Sequence, residues 1–260
     1  MNTEPAYWDH VLDLMQRKSP DRLWRRYSDT IDSRLLASWL SAGTTGYLLK
    51  TDMFGESLGG GLRVPSSHCG WTTVGMDISP EMAKAARSAS GYRLLVAADI
   101  RNVPFSADVI DTIFSNSTLD HFTSVDEIVL SLKECYRVLK PGGRLILTMD
   151  NPVNPVLALR SIIPHKILLK LHVTPYFSGK TLSPDKLRKA LHDIGFHISD
   201  MHPVVHCPRI IAILTARIVD RLASARTKEV FLEKLIRFET LTRFPTRFLT
   251  GYFTAVCCEK

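Results

Sequence analysis

Trp71-Thr72-Thr73-Val74-Gly75-Met76-Asp77-Ile78-Ser79-Pro80-Glu81 is the stretch on which the fold turns. Its apolar run ends in an acid and passes into a helix start. Two more runs follow in the same rhythm. Leu94 to Ile100 contains Asp99 and leads into Arg101-Asn102-Val103-Pro104-Phe105, and Val109 to Phe114 leads into Ser115-Asn116-Ser117-Thr118-Leu119-Asp120-His121-Phe122. Continuous apolar runs of this length suit parallel strands buried on both faces. An acid at the carboxyl end of such a strand lies where open α/β sheets bind ligands. The plainer reading is that Asp77 and Asp99 only cap the helix or turn that follows.

Working outward, Ser79-Pro80-Glu81 supplies a cap, a proline at the first helical position and an acid in the first turn. Val125 to Leu139 reads as a helix, with Ile128, Leu132, Cys135 and Leu139 on one face. Lys140-Pro141-Gly142-Gly143 stops it, and Arg144 to Met149 reads as the fifth strand. Upstream, two helical stripes (Tyr7/Trp8 to Met15, and Trp24 to Leu40) precede a first strand at Tyr47-Leu48-Leu49. Downstream, Ser183-Pro184 starts a helix that Gly195 stops, and Phe196-His197-Ile198 begins a sixth strand. Ile211, Leu214, Ile218 and Leu222 share one helical face, which is expected to be buried as a cap. A dimer surface and an interfacial membrane patch are the other uses of that face. Gly251 to Glu259 reads as a closing strand.

The Asp77/Asp99 rhythm and the segment "YRVLKPGGRLILT" resemble the class I S-adenosylmethionine (SAM)-dependent methyltransferases. The resemblance covers about residues 20–204 and 250–260. It implies an α/β fold: a doubly wound, mostly parallel, seven-stranded Rossmann-like sheet with an antiparallel last strand, N-terminal helices and helical cap insertions. The segments expected are an N-terminal cap (1–45), a SAM-binding core (46–155), a lid (156–180), a late helix and strand (181–205), a helical insertion (206–249) and the closing strand (250–260). It also implies that Asp77 holds the ribose hydroxyls and Asp99 the adenine amino group, with Ile78 and Ile100 against the ring. Ser115 and Asn116 would face the sulfonium. Asp120 and His121 would orient a substrate or take its proton. Asn151 and Tyr176 are candidate substrate contacts, and Tyr27 a candidate cofactor contact. The first loop departs from the family's glycine-rich turn: here it reads Lys50-Thr51-Asp52-Met53-Phe54-Gly55-Glu56, similar to a subgroup with an "LKTD…E" motif. Asp52 or Glu56 would then receive the cofactor's amino group.

Composition narrows the alternatives. The 260-residue chain has net charge +7, and the excess is all carboxyl-terminal. Residues 1–150 carry 16 Lys+Arg against 18 Asp+Glu, and residues 151–260 carry 17 against 8. That asymmetry suits an anionic substrate, a membrane surface or nucleic acid, and the plainer reading is a solvated basic face; the substrate expected is a small molecule, lipid- or sugar-linked. Lys166, Lys170, His165 and His172 are candidates for meeting it. A methylated nucleic acid is disfavoured, because no Asn/Asp-Pro-Pro-aromatic motif follows the fourth run. A nicotinamide oxidoreductase would want GxGxxG after the first strand. A degenerate fold acting as a scaffold is the main rival. Five scattered cysteines show neither zinc nor disulfide spacing, and no metal is expected. No basic-then-apolar leader is read, so the expected location is cytoplasmic, with peripheral contact at the inner membrane face and a homodimer left open.

Overall fold

The computed structural model describes residues 4–17, 21–40, 45–62, 70–90, 92–163, 167 and 176–260. Lys166, Lys170, His165 and His172, with the middle of the expected lid, lie outside these. Seven strands form one sheet: β1 (Gly46–Thr51), β2 (Trp71–Asp77), β3 (Leu94–Ala97), β4 (Ile110–Asn116), β5 (Leu139–Asp150), β6 (His197–Val204) and β7 (Phe253–Glu259). Their order is β3-β2-β1-β4-β5-β7-β6. Only β7 runs against its neighbours, pairing antiparallel with β5 and β6. The expected doubly wound sheet with an antiparallel last strand is the one observed.

The helices are α1 (Pro5–Arg17), α2 (Arg22–Trp39), α3 (Phe54–Ser57), α4 (Pro80–Ser90), α5 (Val125–Val138), α6 (Pro155–Ile162), α7 (Pro184–Ile194), α8 (Arg209–Leu222), α9 (Ala225–Arg237) and α10 (Arg247–Thr250). Successive strand residues feed opposite cores, as the pleat requires. Leu49, Ile113, Leu145 and Leu147 pack with α5 and α7, while Leu48, Phe114 and Ile146 pack with α2, α8 and α9. Apolar residues on both faces explain why these runs show no polar alternation.

Local chemistry sets the ends. Ser124 and Glu127 cap α5 reciprocally, and Ser183 caps α7. At Gly195, φ is +117° and a β-carbon would stand 3.0 Å from the Tyr136 hydroxyl, so only glycine ends α7 there without strain. β3 stops at Ala97, short of the expected Ile100, because Asp99 accepts the Arg101 amide at 2.8 Å and turns the chain out of the ladder.

One expectation is corrected. The face Ile211/Leu214/Ile218/Leu222 is not buried: these residues are 64%, 53%, 58% and 83% exposed. Ala212 and Ala216 face inward instead, in the core that holds Leu23 and Tyr27 of α2. Small side chains let two helices approach closely, and that contact sets the rotation of α8.

Candidate active site

A cavity of about 1340 Å³ opens beside the carboxyl ends of β1 to β5. Its lining includes a polar residue at or just past the end of each of these strands: Asp52, Asp77, Asp99, Asn116 and Asp150. Ile78 and Ile100 also line it, as do Asp120, His121 and Tyr176. Asp77 is buried, and its two oxygens accept the Met53 and Ser79 amides at 2.7 and 2.8 Å. The carboxylate therefore fixes the first loop and the start of α4 while facing the cavity, so the capping and ligand-facing readings both hold geometrically. Burial, then repulsion from Asp52, raises its pKa above the usual carboxylate range. Asp99 sits on the neighbouring strand end, gripped by Arg101, whose Nη2 donates to Oδ2 at 2.6 Å.

The altered first loop has a physical solution. Asp52 takes the left-handed backbone, φ +71°, that a glycine would normally supply. Its Oδ1 accepts the Phe54 amide at 2.7 Å, its own amide donates to the Met76 carbonyl, and Lys50 Nζ donates to its carbonyl. Glu56 is fully buried, 3.2 Å from Lys50 Nζ, and accepts the Leu62 amide at 2.8 Å. Burial alone would lower the Lys50 pKa, but Glu56 and Asp52 outweigh it and hold it above its ordinary value. Gly61, at φ +101°, leaves room for Glu56, which a β-carbon there would meet at 2.3 Å. Glu56 thus holds the loop together while also lining the cavity.

Three other expectations are also corrected. Ser115 is fully buried within β4 and does not line the cavity. Asn151 donates to the Phe248 and Gly251 carbonyls and accepts the Val153 amide, so its amide anchors the β5 end to α10. Tyr27 points away from the cavity and donates to Glu239 at 2.6 Å.

The helix α2 adds residues that its apolar stripe concealed. Asp29 accepts the Gly61 amide at 3.0 Å, and Asp32 accepts from Asn116 Nδ2 at 3.1 Å. Burial pushes Asp29 up to about 6 and Asp32 up to about 7. Arg25 lines the same wall, and burial lowers its pKa. Arg25 Nε, Asn116 Oδ1 and Asp120 Oδ1 are buried without a hydrogen-bond partner among the described residues. The available signal was the polar residues at Arg25, Asp29 and Asp32, spaced to share one helical face.

Further along, His121 sits in an aromatic group. Its ring is 4.8 Å from Trp8 and 5.5 Å from Tyr176, and Tyr176 is 5.7 Å from Phe54. His121 Nδ1 is 2.9 Å from the Phe177 carbonyl, which can only accept, so the ring proton sits on Nδ1. Nε2 is then the basic nitrogen, 3.9 Å from Asp120 Oδ1. Burial, then the nearby Asp150, raises the Asp120 pKa. Asp150 pairs with Arg160, whose Nη1 donates to the Tyr252 hydroxyl. Among the described residues no group of His, Cys, Asp and Glu is placed to hold a metal ion.

Residues 55–147 match the family model described as a methyltransferase domain. The chain is 28% identical over 155 residues to a ubiquinone biosynthesis O-methyltransferase of Chelativorans sp., covering 58% of this chain and 60% of that one. It spans about half the length of the curated relatives it matches, from 42% to 61% of the ubiquinone enzymes. Among solved structures, the [4+2]-cyclase SpnF superposes with a TM-score of 0.56 at 17% identity, covering 94% of this chain and 83% of that one. The geranyl diphosphate C-methyltransferase of Streptomyces coelicolor, solved with S-adenosylhomocysteine, gives 0.56 at 14% identity, covering 90% and 79%. Residues 55–147 are thus similar to a methyltransferase domain, and the seven-stranded sheet has the Rossmann-like fold of these solved structures.

Proposed function

We propose that this protein transfers a methyl group from SAM to a hydroxyl of a small, lipid-linked molecule, and that it uses the variant "LKTD…E" first motif to do so. The observation that carries this reading is the placement of Asp77 and Asp99 on adjoining strand ends in one cavity that continues to His121. The cavity's donors and acceptors fit the cofactor. Asp77 keeps lone pairs for ribose hydroxyls beyond its two amide contacts, Asp99 can accept from the adenine amino group, and Ile78 and Ile100 cover a flat ring. Asp32 and Asn116, with Arg25 nearby, suit an amino-acid end that carries both charges.

When bound, the sulfonium supplies an already activated methyl group. The chain aligns the acceptor and excludes water. Trp8, Phe54 and Tyr176 form the apolar wall, and His121 Nε2 takes the acceptor's proton while the Phe177 carbonyl fixes its ring. Asp120 stabilises the imidazolium that results. The O-methyltransferase names of the curated relatives support a hydroxyl acceptor. Calorimetry with SAM and S-adenosylhomocysteine tests the cofactor; binding of neither would favour a scaffold. A product search in cell extract with isotopically labelled SAM then identifies the acceptor.

A further inference from the structure

The exposed aliphatic residues of α8 do not stand alone. On α6, across the cavity mouth, Val156, Leu159 and Ile162 are 51%, 60% and 76% exposed. Val156, Leu159 and Ile163 line the cavity from one side, and Ile210, Ile213 and Leu214 from the other. Two helices therefore bracket the entrance with side chains that water solvates poorly. Exposed apolar residues gathered at one cavity mouth mark an interaction surface.

Charge identifies the partner. Residues 206–249 carry nine basic against four acidic side chains. On α8 the acid Asp220 is paired with Lys228, and Arg217 with Asp21. Arg221, at the mouth, has no carboxylate within ion-pair distance among the described residues. Just inside, Arg209 stacks over Tyr252 at 4.3 Å, Phe253 at 5.4 Å and Trp24 at 5.8 Å, and no carboxylate within the described residues pairs with it. Helices with aliphatic residues on one face and arginines beside them lie at the boundary of an anionic bilayer. No helix among the described residues is long and apolar enough to cross one.

We propose that α6 and α8 dock the protein on an anionic membrane surface, so that the acceptor enters the cavity directly from the lipid. The proposal rests on the methyl-transfer reading for the acceptor, but the docking is measured without any turnover. Arg209 lies where an anionic headgroup would follow the apolar mouth inward.

The test is co-sedimentation of the full chain with phosphatidylcholine vesicles, with and without phosphatidylglycerol. The protein should pellet with the phosphatidylglycerol-containing vesicles and leave them at high salt. The double variant Ile218→Asp/Leu222→Asp, at exposed positions outside the cavity, should lower the vesicle-bound fraction on the order of tenfold or more. Its thermal melt and its SAM affinity should match wild type. Wild type that binds SAM but stays in the supernatant with both vesicle types overturns the docking and leaves the methyl-transfer reading standing. Vesicle binding without SAM binding supports docking and sinks methyl transfer. Equal pelleting of variant and wild type overturns the assignment to α8. Light scattering at twice 29.2 kDa, reduced to a monomer by the variant and with no vesicle binding, gives the face to a second copy instead.

Discussion

Asp77 does two things with one carboxylate. Asp77→Asn keeps the shape but leaves one acceptor oxygen for two backbone amides, so either the Met53 or the Ser79 amide loses its partner while the ribose contact weakens. SAM affinity should fall by about tenfold or more for the loss of a charge-assisted hydrogen bond, alongside a destabilisation of about 1–3 kcal/mol from the amide left unpaired. Calorimetry beside a thermal melt checks this, and unchanged affinity removes Asp77 from the cofactor site. His121→Ala should leave SAM affinity intact and lower turnover about 10² to 10⁴-fold, the range of a lost general base. Lys50 is a case where stability is at stake: it lines the cavity, but its ammonium is paired within the first loop. Lys50→Met strands Glu56 as a buried charge beside the first loop. Breaking such a pair costs about 3–5 kcal/mol, which urea unfolding would read directly.

At the scale of the element, the first loop shows where sequence reading stops. The strands and most helices were legible because apolar runs, caps and stopping glycines act over a few residues. Ser183 and Gly195 mark α7 as plainly in the sequence as in the structure. The first loop was not legible, because its conformation depends on Lys50 reaching both Glu56 and the Asp52 carbonyl. The rotation of α8 was hidden for a related reason: its hydrophobic periodicity points outward, and the small residues that set its packing carry no such signal. In the site, Asp77, Asp99, Asp120, His121 and Tyr176 line one cavity, whereas Trp8, Asp29 and Asp32 went unassigned on helices read as cover, although Asp29 and Asp32 share a polar face with Arg25. The loop carries its own prediction. Asp52→Gly keeps the left-handed turn, while Asp52→Val forces a β-branched residue to φ +71°. The valine variant should lose about 1–3 kcal/mol more than the glycine variant on chemical unfolding.

Over the whole molecule, charge is sorted along the cavity. The chain is basic, yet one end of the cavity gathers Asp29, Asp32, Asp52, Asp77 and Asp99 around Arg25 and Lys50, while Arg160, Arg209 and Arg221 lie toward α6 and α8. Crowded, buried acids give up protons late. Asp32 and Asp29 titrate at about 7 and about 6 in the folded chain, against 3.8 when unfolded. Between those values the native state binds more protons than the unfolded chain, so stability is greatest below the unfolded pKa and falls as pH rises through the folded one. Asp32→Asn removes its share of that slope and should gain on wild type from about pH 5 to about pH 8 in paired unfolding curves. The same protons report on the ligand. SAM carries one net positive charge more than S-adenosylhomocysteine, and a cation beside Asp32 favours its ionised form. Binding SAM near pH 6.5 should therefore expel a fraction of a proton from this cluster, and S-adenosylhomocysteine a smaller one. Calorimetry in two buffers of different ionisation enthalpy measures both. Equal release by the two ligands would mean that the methyl-bearing sulfur does not lie beside these acids.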